Sequence, residues 1–190
     1  SHPRLMYAST VYVNGRSGGF YRCSKQAAEN FIEEYSKKYG LDFTILRYGS
    51  LYGPRSDEEN GLYQIVRRAI EYHEIIYPGP EETIREYIHV QDAASASIEA
   101  LDPKFLGSAL TITGQEMMKV KDVLEILSEI LGSPRTLVKF LGEDQAHYVR
   151  TPFVYKNRTS KKLVLPLHVD IGQGLIELVE QIKDDLGKDQ

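Results

Sequence analysis

The hydrophobic positions of this chain change period repeatedly, and each change marks an element. Leu5–Thr10 is a short apolar run ending in two hydroxyls, which predicts a strand. Residues 14–19 hold three glycines and an asparagine and predict a loop. Across residues 20–39 the apolar positions Ala27, Ala28, Phe31, Ile32 and Tyr35 recur at spacings of three and four, the period of a helix, and Gly40 stands where helices stop. Residues 42–48 then read as a buried strand. Strand, helix, glycine turn and strand make a right-handed parallel crossover unit.

Residues 49–61 predict a loop containing Gly53-Pro54, and residues 62–72 a helix. Residues 75–77 and 84–89 predict strands on either side of Pro78-Gly79-Pro80, and 91–101 a helix of small residues. Residues 109–113 predict a strand, 120–131 an amphipathic helix closed by Gly132, 137–141 a strand, and 174–186 a last amphipathic helix. The expected fold class is α/β: late strands of a Rossmann-type parallel sheet plus a smaller mixed α/β substrate lobe. The expected division is a partial Rossmann-type segment over 1–61 and mainly a substrate-binding lobe over 62–190. Opening directly on an apolar strand gives the impression of a chain that begins in mid-fold.

Composition narrows the function classes. A formal net charge of -4 gives no basic surface for nucleic acid or anionic membrane. The pairs Arg67-Arg68 and Lys161-Lys162 are read as solvated helix faces. No apolar run approaches the roughly 20 residues that span a bilayer, and no basic-then-apolar leader opens the chain. Cys23 is the only cysteine, so an intrachain disulfide is impossible and a reducing, cytoplasmic setting is expected.

The candidate chemistry lies at the start of the first predicted helix. Tyr21 and Lys25 are four residues apart and share a helix face. A lysine ammonium near a phenol favours phenolate and lowers its pKa from about 10. A phenolate poised near neutral pH can take a proton from a hydroxyl while hydride leaves the same carbon. The hydroxyls of Ser9 and Thr10 close the preceding strand, on the sheet edge where ligands bind in open α/β folds. The spacing alone also suits an exposed Tyr and Lys on an amphipathic helix; the order of strand, glycine loop, Tyr-Lys helix and strand favours the chemistry. His73, His147 and His168 form no metal spacing with one another or with Cys23, so no metal site is expected. His89 is read as structural, Asp92 equally as a helix N-cap or as functional, and Met117-Met118 as core.

At this point the chain resembles the extended short-chain dehydrogenases, the NAD-dependent nucleotide-sugar epimerase/dehydratase family. Four motifs carry the resemblance: residues 8–15, Ala-Ser-Thr-Val-Tyr-Val-Asn-Gly; residues 21–29, Tyr-Arg-Cys-Ser-Lys-Gln-Ala-Ala-Glu; residues 46–55, Leu-Arg-Tyr-Gly-Ser-Leu-Tyr-Gly-Pro-Arg; and residues 85–93, Arg-Glu-Tyr-Ile-His-Val-Gln-Asp-Ala. The resemblance implies catalysis by Thr10, Tyr21 and Lys25. It implies contact with NAD, NADP not being excluded, through Tyr21, Lys25, Tyr48, Gly49 and Ser50. It implies contact with a nucleotide-sugar substrate through Ser50, Arg85 and Arg150. The segment 157–162 resembles one that is read as a helix start. A homodimer built on the Tyr-Lys helix is also implied.

Departures from the family pattern matter. No Gly-x-x-Gly-x-x-Gly follows a first strand anywhere in the 190 residues, so the cofactor's phosphate loop is expected to lie outside them. The loop between Gly15 and Tyr21 is short, Ser50 and Glu86 stand where the family has Asn and Asp, and Val11-Tyr12 stand where its dehydratases carry Asp-Glu. Epimerase or keto-reductase is therefore placed ahead of dehydratase. The chain is expected to be part of such an enzyme and inactive without the missing cofactor-binding half; the alternative is a non-catalytic fragment or binding remnant of the family.

Overall fold

The computed structural model describes residues 3–132, 137–142 and 161–188. Strand β1 (Leu5–Thr10) runs into a single 3-10 turn, Val11–Asn14, and helix α1 (Gly19–Tyr39) follows. Gly40, at φ 69°, ends α1 in the left-handed conformation and returns its N–H to Ser36, as the sequence predicts. Strand β2 (Phe43–Tyr48) pairs parallel with β1 over their whole length, completing the crossover unit.

Next come β3 (Ser50–Tyr52), α2 (Gly61–Tyr72), β4 (Glu74–Tyr77), β5 (Ile84–Arg85), β6 (Tyr87–His89) and α3 (Val90–Glu99). The chain continues through β7 (Ser108–Ile112), β8 (Met118–Lys119), α4 (Val120–Ile130), β9 (Leu137–Phe140), β10 (Lys161–Lys162) and α5 (Ile171–Lys188). The principal sheet is parallel throughout, in the order β1-β2-β7-β10. It draws β7 and β10 from beyond residue 61. Short pairs β3-β6, β4-β9 and β5-β8 surround it.

Three predicted elements differ. Residues 49–61 are not all loop, because Ser50–Tyr52 pairs parallel with Tyr87–His89. The predicted strand 84–89 breaks at Glu86: β5 pairs with β8, and β6 with β3. Lys161–Lys162, read as a solvated helix start, is instead the fourth sheet strand, and Lys162 sends its ammonium to the buried Glu86 at 3.3 Å.

Alternation along β2 decides what each sheet face carries. Phe43 and Ile45 pack with Ile32 of α1, whereas Leu46, with Tyr48 against it, packs with Ala93, Ala96 and Ala100 on the α3 side. The small residues of α3 let it approach closely. The predicted stripe on α1 is mostly not core: Ile32 is buried, but Phe31 and Tyr35 are exposed, as are Phe20 and Tyr39. The largest cluster joins α2, β4, α4 and α5 through Val66, Ile75, Leu124, Leu127, Leu175, Leu178 and Ile182. Leu127 is fully buried there, so Leu127→Ala should cost about 2–5 kcal/mol in a urea melt; a loss under about 1 kcal/mol would show that the lobe collapses around the gap. Among the described residues no helix is long and apolar enough to cross a membrane.

Candidate functional site

Thr10 ends β1 and is buried; its hydroxyl accepts from the Tyr12 N–H at 3.3 Å and so caps the 3-10 turn. That turn aims Tyr12 at the first turn of α1, where its ring meets the Tyr21 ring edge-on with centroids 6.2 Å apart. Gly18, at φ 96°, is required here on two counts: the backbone is left-handed, and a Cβ would lie 2.7 Å from the Tyr12 ring. Tyr21 is about half exposed. Lys25, one turn on, donates to the Ala8 carbonyl at 2.9 Å and stands 5.8 Å from the Tyr21 ring centroid. Arg22 and Gln26 donate to the Gly15 and Val13 carbonyls at 3.1 and 2.9 Å. The helix is thus laced to the end of β1 and the turn that follows it.

A cleft of about 900 Å³ opens beside Tyr21. Tyr12, Tyr21, Gly49, Ser50, Arg85 and Tyr87 all line it, with α2 forming much of the far wall. The structure therefore brings together four of the sequence-predicted residues, Tyr21, Gly49, Ser50 and Arg85. Thr10 and Lys25 are not part of the lining. Tyr48 turns to the other face of the sheet, where its hydroxyl shares a 2.6 Å hydrogen bond with Ser97. That follows from strand alternation, which sends positions 47 and 48 to opposite faces. Arg85 is buried at the cleft wall and donates to the Tyr77 hydroxyl at 3.1 Å. Arg150 lies outside the described residues, as do Glu143, Asp144 and His147.

Other predicted residues have structural places. His89 is buried and is itself the N-cap of α3, its Nδ1 accepting from Gln91 N–H at 3.4 Å, while Nε2 lies 3.3 Å from Glu177. Asp92 is therefore not the cap; it accepts the Val169 N–H at 2.8 Å and ties α3 to the approach of α5. Met118 packs against the large cluster, but Met117 is exposed. Among the described residues no group of three or more His, Cys, Asp or Glu is placed to hold a metal ion.

Tyr52, the last residue of β3, is buried and lines a cavity of about 40 Å³ together with His89, Asp92 and Asp170. Burial first, then the negative charges of Asp92, Asp170 and Glu177, hold its phenol well above the ordinary tyrosine value. The folded chain keeps a proton that the unfolded chain releases above about pH 10, so this contribution is whole below that pH and falls as pH rises further. In Tyr52→Phe, the decline of the urea midpoint above about pH 10 should flatten relative to the parent. An unchanged decline would place the alkaline sensitivity elsewhere.

Sequence reasoning missed Tyr77 in the cleft, one tyrosine among 13 with no spacing to mark it; Tyr87 lies inside the motif of residues 85–93 but is given no role there. It also missed the ion pair of Glu29 and Arg47, both fully or almost fully buried beside Ser9, with Arg47 Nη2 2.7 Å from Glu29 Oε2. Here a signal existed. Glu29 is four residues past Lys25, and Arg47 alternates with Phe43 and Ile45 onto the face that α1 covers.

A profile of the NAD dependent epimerase/dehydratase family matches residues 3–109. Among curated proteins, the chain is 23% identical over 168 residues to a UDP-glucuronate 4-epimerase of Thermodesulfobacterium geofontis, covering 87% of this chain and 51% of that one. It is 26% identical over 159 residues to a dTDP-glucose 4,6-dehydratase of Actinoplanes sp., covering 84% of this chain and 49% of that one. The chain thus spans about half the length of the curated relatives it matches. Among solved structures, the UDP-glucuronic acid 4-epimerase of Bacillus cereus, in complex with UDP-glucuronic acid and NAD, superposes with a TM-score of 0.80 at 21% identity, covering 97% of this chain and 62% of that one. A double mutant of the dTDP-glucose 4,6-dehydratase DesIV of Streptomyces venezuelae gives a TM-score of 0.81 at 21% identity, covering 97% and 61%. These two likenesses establish a shared fold.

Proposed function

The chain belongs to the NAD dependent epimerase/dehydratase family, and we propose that its cleft is the nucleotide-sugar site and tyrosine centre of an epimerase or keto-reductase. The observation that carries this reading is the single cleft that Tyr21, Ser50 and Arg85 share, with Lys25 docked behind the tyrosine. The relatives named above as a UDP-glucuronate 4-epimerase and a dTDP-glucose 4,6-dehydratase support a nucleotide sugar as the substrate class.

The residues present suit one end of a dinucleotide. An ammonium has three donors, and one of those on Lys25 is directed to Ala8, leaving others for ribose hydroxyls. Tyr21, Gly49 and Ser50 line the same space. No glycine-rich phosphate loop occurs in the 190 residues, so the fit concerns the nicotinamide ribose alone. NAD, with NADP as the alternative, would supply the acceptor and donor of hydride.

The chain's own part is proton transfer and binding. The Tyr21 phenol exchanges a proton with a sugar hydroxyl, the Thr10 hydroxyl serving as the relay between them. Lys25 holds the ribose. The Arg85 guanidinium grips the diphosphate as a fork, and Ser50 contacts the sugar. Arg150 is a further candidate for the nucleotide. Val11 and Tyr12 supply no carboxyl group for loss of water, which keeps dehydration behind epimerisation and reduction. Residues 62–190 would form mainly the substrate lobe. The exposed Phe20, Phe31, Tyr35 and Tyr39 of α1 suit a homodimer seam, and the exposed thiol of Cys23 suits a cytoplasmic setting.

Incubation with NAD and UDP-glucuronic acid, UDP-glucose or dTDP-glucose, followed by proton NMR of the sugar, tests the reading. A C4 epimer is the expected product; with NADH and a 4-keto nucleotide sugar in place of these, reduction of the ketone to the alcohol is expected. Binding without any product would favour the remnant reading, and a 4-keto-6-deoxy product would overturn the placing of dehydratase last.

A further inference from the structure

The Glu29–Arg47 pair is not explained by proton transfer or by substrate binding. Glu29 is fully buried on α1, four residues past Lys25 and eight past Tyr21, so all three lie on one helix stripe. Arg47 reaches it from β2 as a fork, Nε to Oε1 at 3.1 Å and Nη2 to Oε2 at 2.7 Å. The Ser9 hydroxyl donates to the same Oε1 at 2.6 Å, and Arg47 Nη1 donates to Asn14 Oδ1 at 3.3 Å. Ser9 and Arg47 are register partners in the β1-β2 ladder, and Ser9 is the neighbour of Thr10. One ion pair therefore clips together the end of β1, the end of the turn after it, the middle of α1 and the end of β2.

Apolar packing of a helix on a sheet is non-directional and tolerates small rotations. A forked guanidinium–carboxylate contact fixes both distance and angle. A buried ion pair can often be exchanged for apolar side chains at no cost in stability, so stability alone does not account for one at this place. We propose that Glu29 and Arg47, with Ser9, form a positioning element that sets the rotation of α1 against β1, so that Tyr21 and Lys25 face Thr10. This rests on the reading of Tyr21 as the general acid/base. Neither Glu29 nor Arg47 lines the cleft, so they act through the helix and not on the substrate.

The test is the double variant Glu29→Leu/Arg47→Met, studied by thermal melting, by turnover of the nucleotide sugar and by crystallography. The melting temperature should stay close to that of the parent, because the charges leave together. kcat should fall about 10²-fold, the effect of a displacement near 1 Å, with KM for the sugar nucleotide little changed. In the crystal Lys25 should have left the Ala8 carbonyl. A kcat within about twofold of the parent, with Lys25 still in place, would reduce the pair to scaffold. If the parent itself turns over no nucleotide sugar, the functional reading fails; the position of Lys25 in the variant crystal still decides the positioning claim. Should the double variant not fold, Ser9→Ala removes only the hydroxyl contact with Glu29. It should lower kcat several-fold at an unchanged KM, and no change in kcat would overturn the proposal.

Discussion

Replacing Tyr21 with phenylalanine is expected to lower kcat by about 10³-fold while the protein folds as before. The loss follows from the proposed role: Tyr21 lines the cleft with the Lys25 ammonium 5.8 Å from its ring centroid, and general acid–base groups contribute about 10²–10⁴-fold. The preserved fold follows from the geometry. Tyr21 is about half exposed, and phenylalanine keeps the ring that meets Tyr12 edge-on. Steady-state kinetics beside a thermal melt separate the two effects. A Tyr21→Phe variant with kcat within about tenfold of the parent would remove Tyr21 from the chemistry.

The second large effect concerns stability. Arg47→Met alone should cost about 3–5 kcal/mol, because it strands the Glu29 carboxylate at a site with no exposure to water, with Ser9 as one remaining donor. The natural comparison is the double variant, in which both charges leave; most of the loss should then return. Urea denaturation of the two variants measures the difference directly. If the single variant lost under about 1 kcal/mol, water or a shifted side chain would be compensating Glu29, and the pair would be neither as dry nor as rigid as its geometry indicates.

Much of this fold was legible because the local signals agree with the global arrangement. The β1-α1-β2 unit could be read from a hydroxyl-ended apolar strand, a 3.6-residue pattern and Gly40 in its left-handed cap. The family motifs led to Tyr21, Gly49, Ser50 and Arg85, which the fold gathers in one cleft. What stayed hidden depends on partners distant in sequence. Lys161–Lys162 has no strand signal of its own; it is a strand because β7 offers an open ladder edge and Glu86 a buried counter-charge. The break at Glu86 likewise follows from two different partners, β8 and β3, claiming the two halves of one predicted strand. Helix α1 misled in the opposite sense: its spacing of Phe31 and Tyr35 looks like a core stripe, yet those rings face outward. Tyr48 shows that a motif can name the right turn without telling which way a side chain points, whereas counting alternation from the buried Ile45 would have done so.

The central claim is that a nucleotide sugar occupies the cleft beside Tyr21 with Arg85 on its diphosphate. Native mass spectrometry of the protein with UDP-glucuronic acid, UDP-glucose and dTDP-glucose, with and without NAD, tests it most directly. The account predicts a protein–nucleotide-sugar complex with at least one of the three, lost in Arg85→Ala and retained in Tyr21→Phe. The bare chain in every mixture, or a complex indifferent to Arg85→Ala, would contradict it.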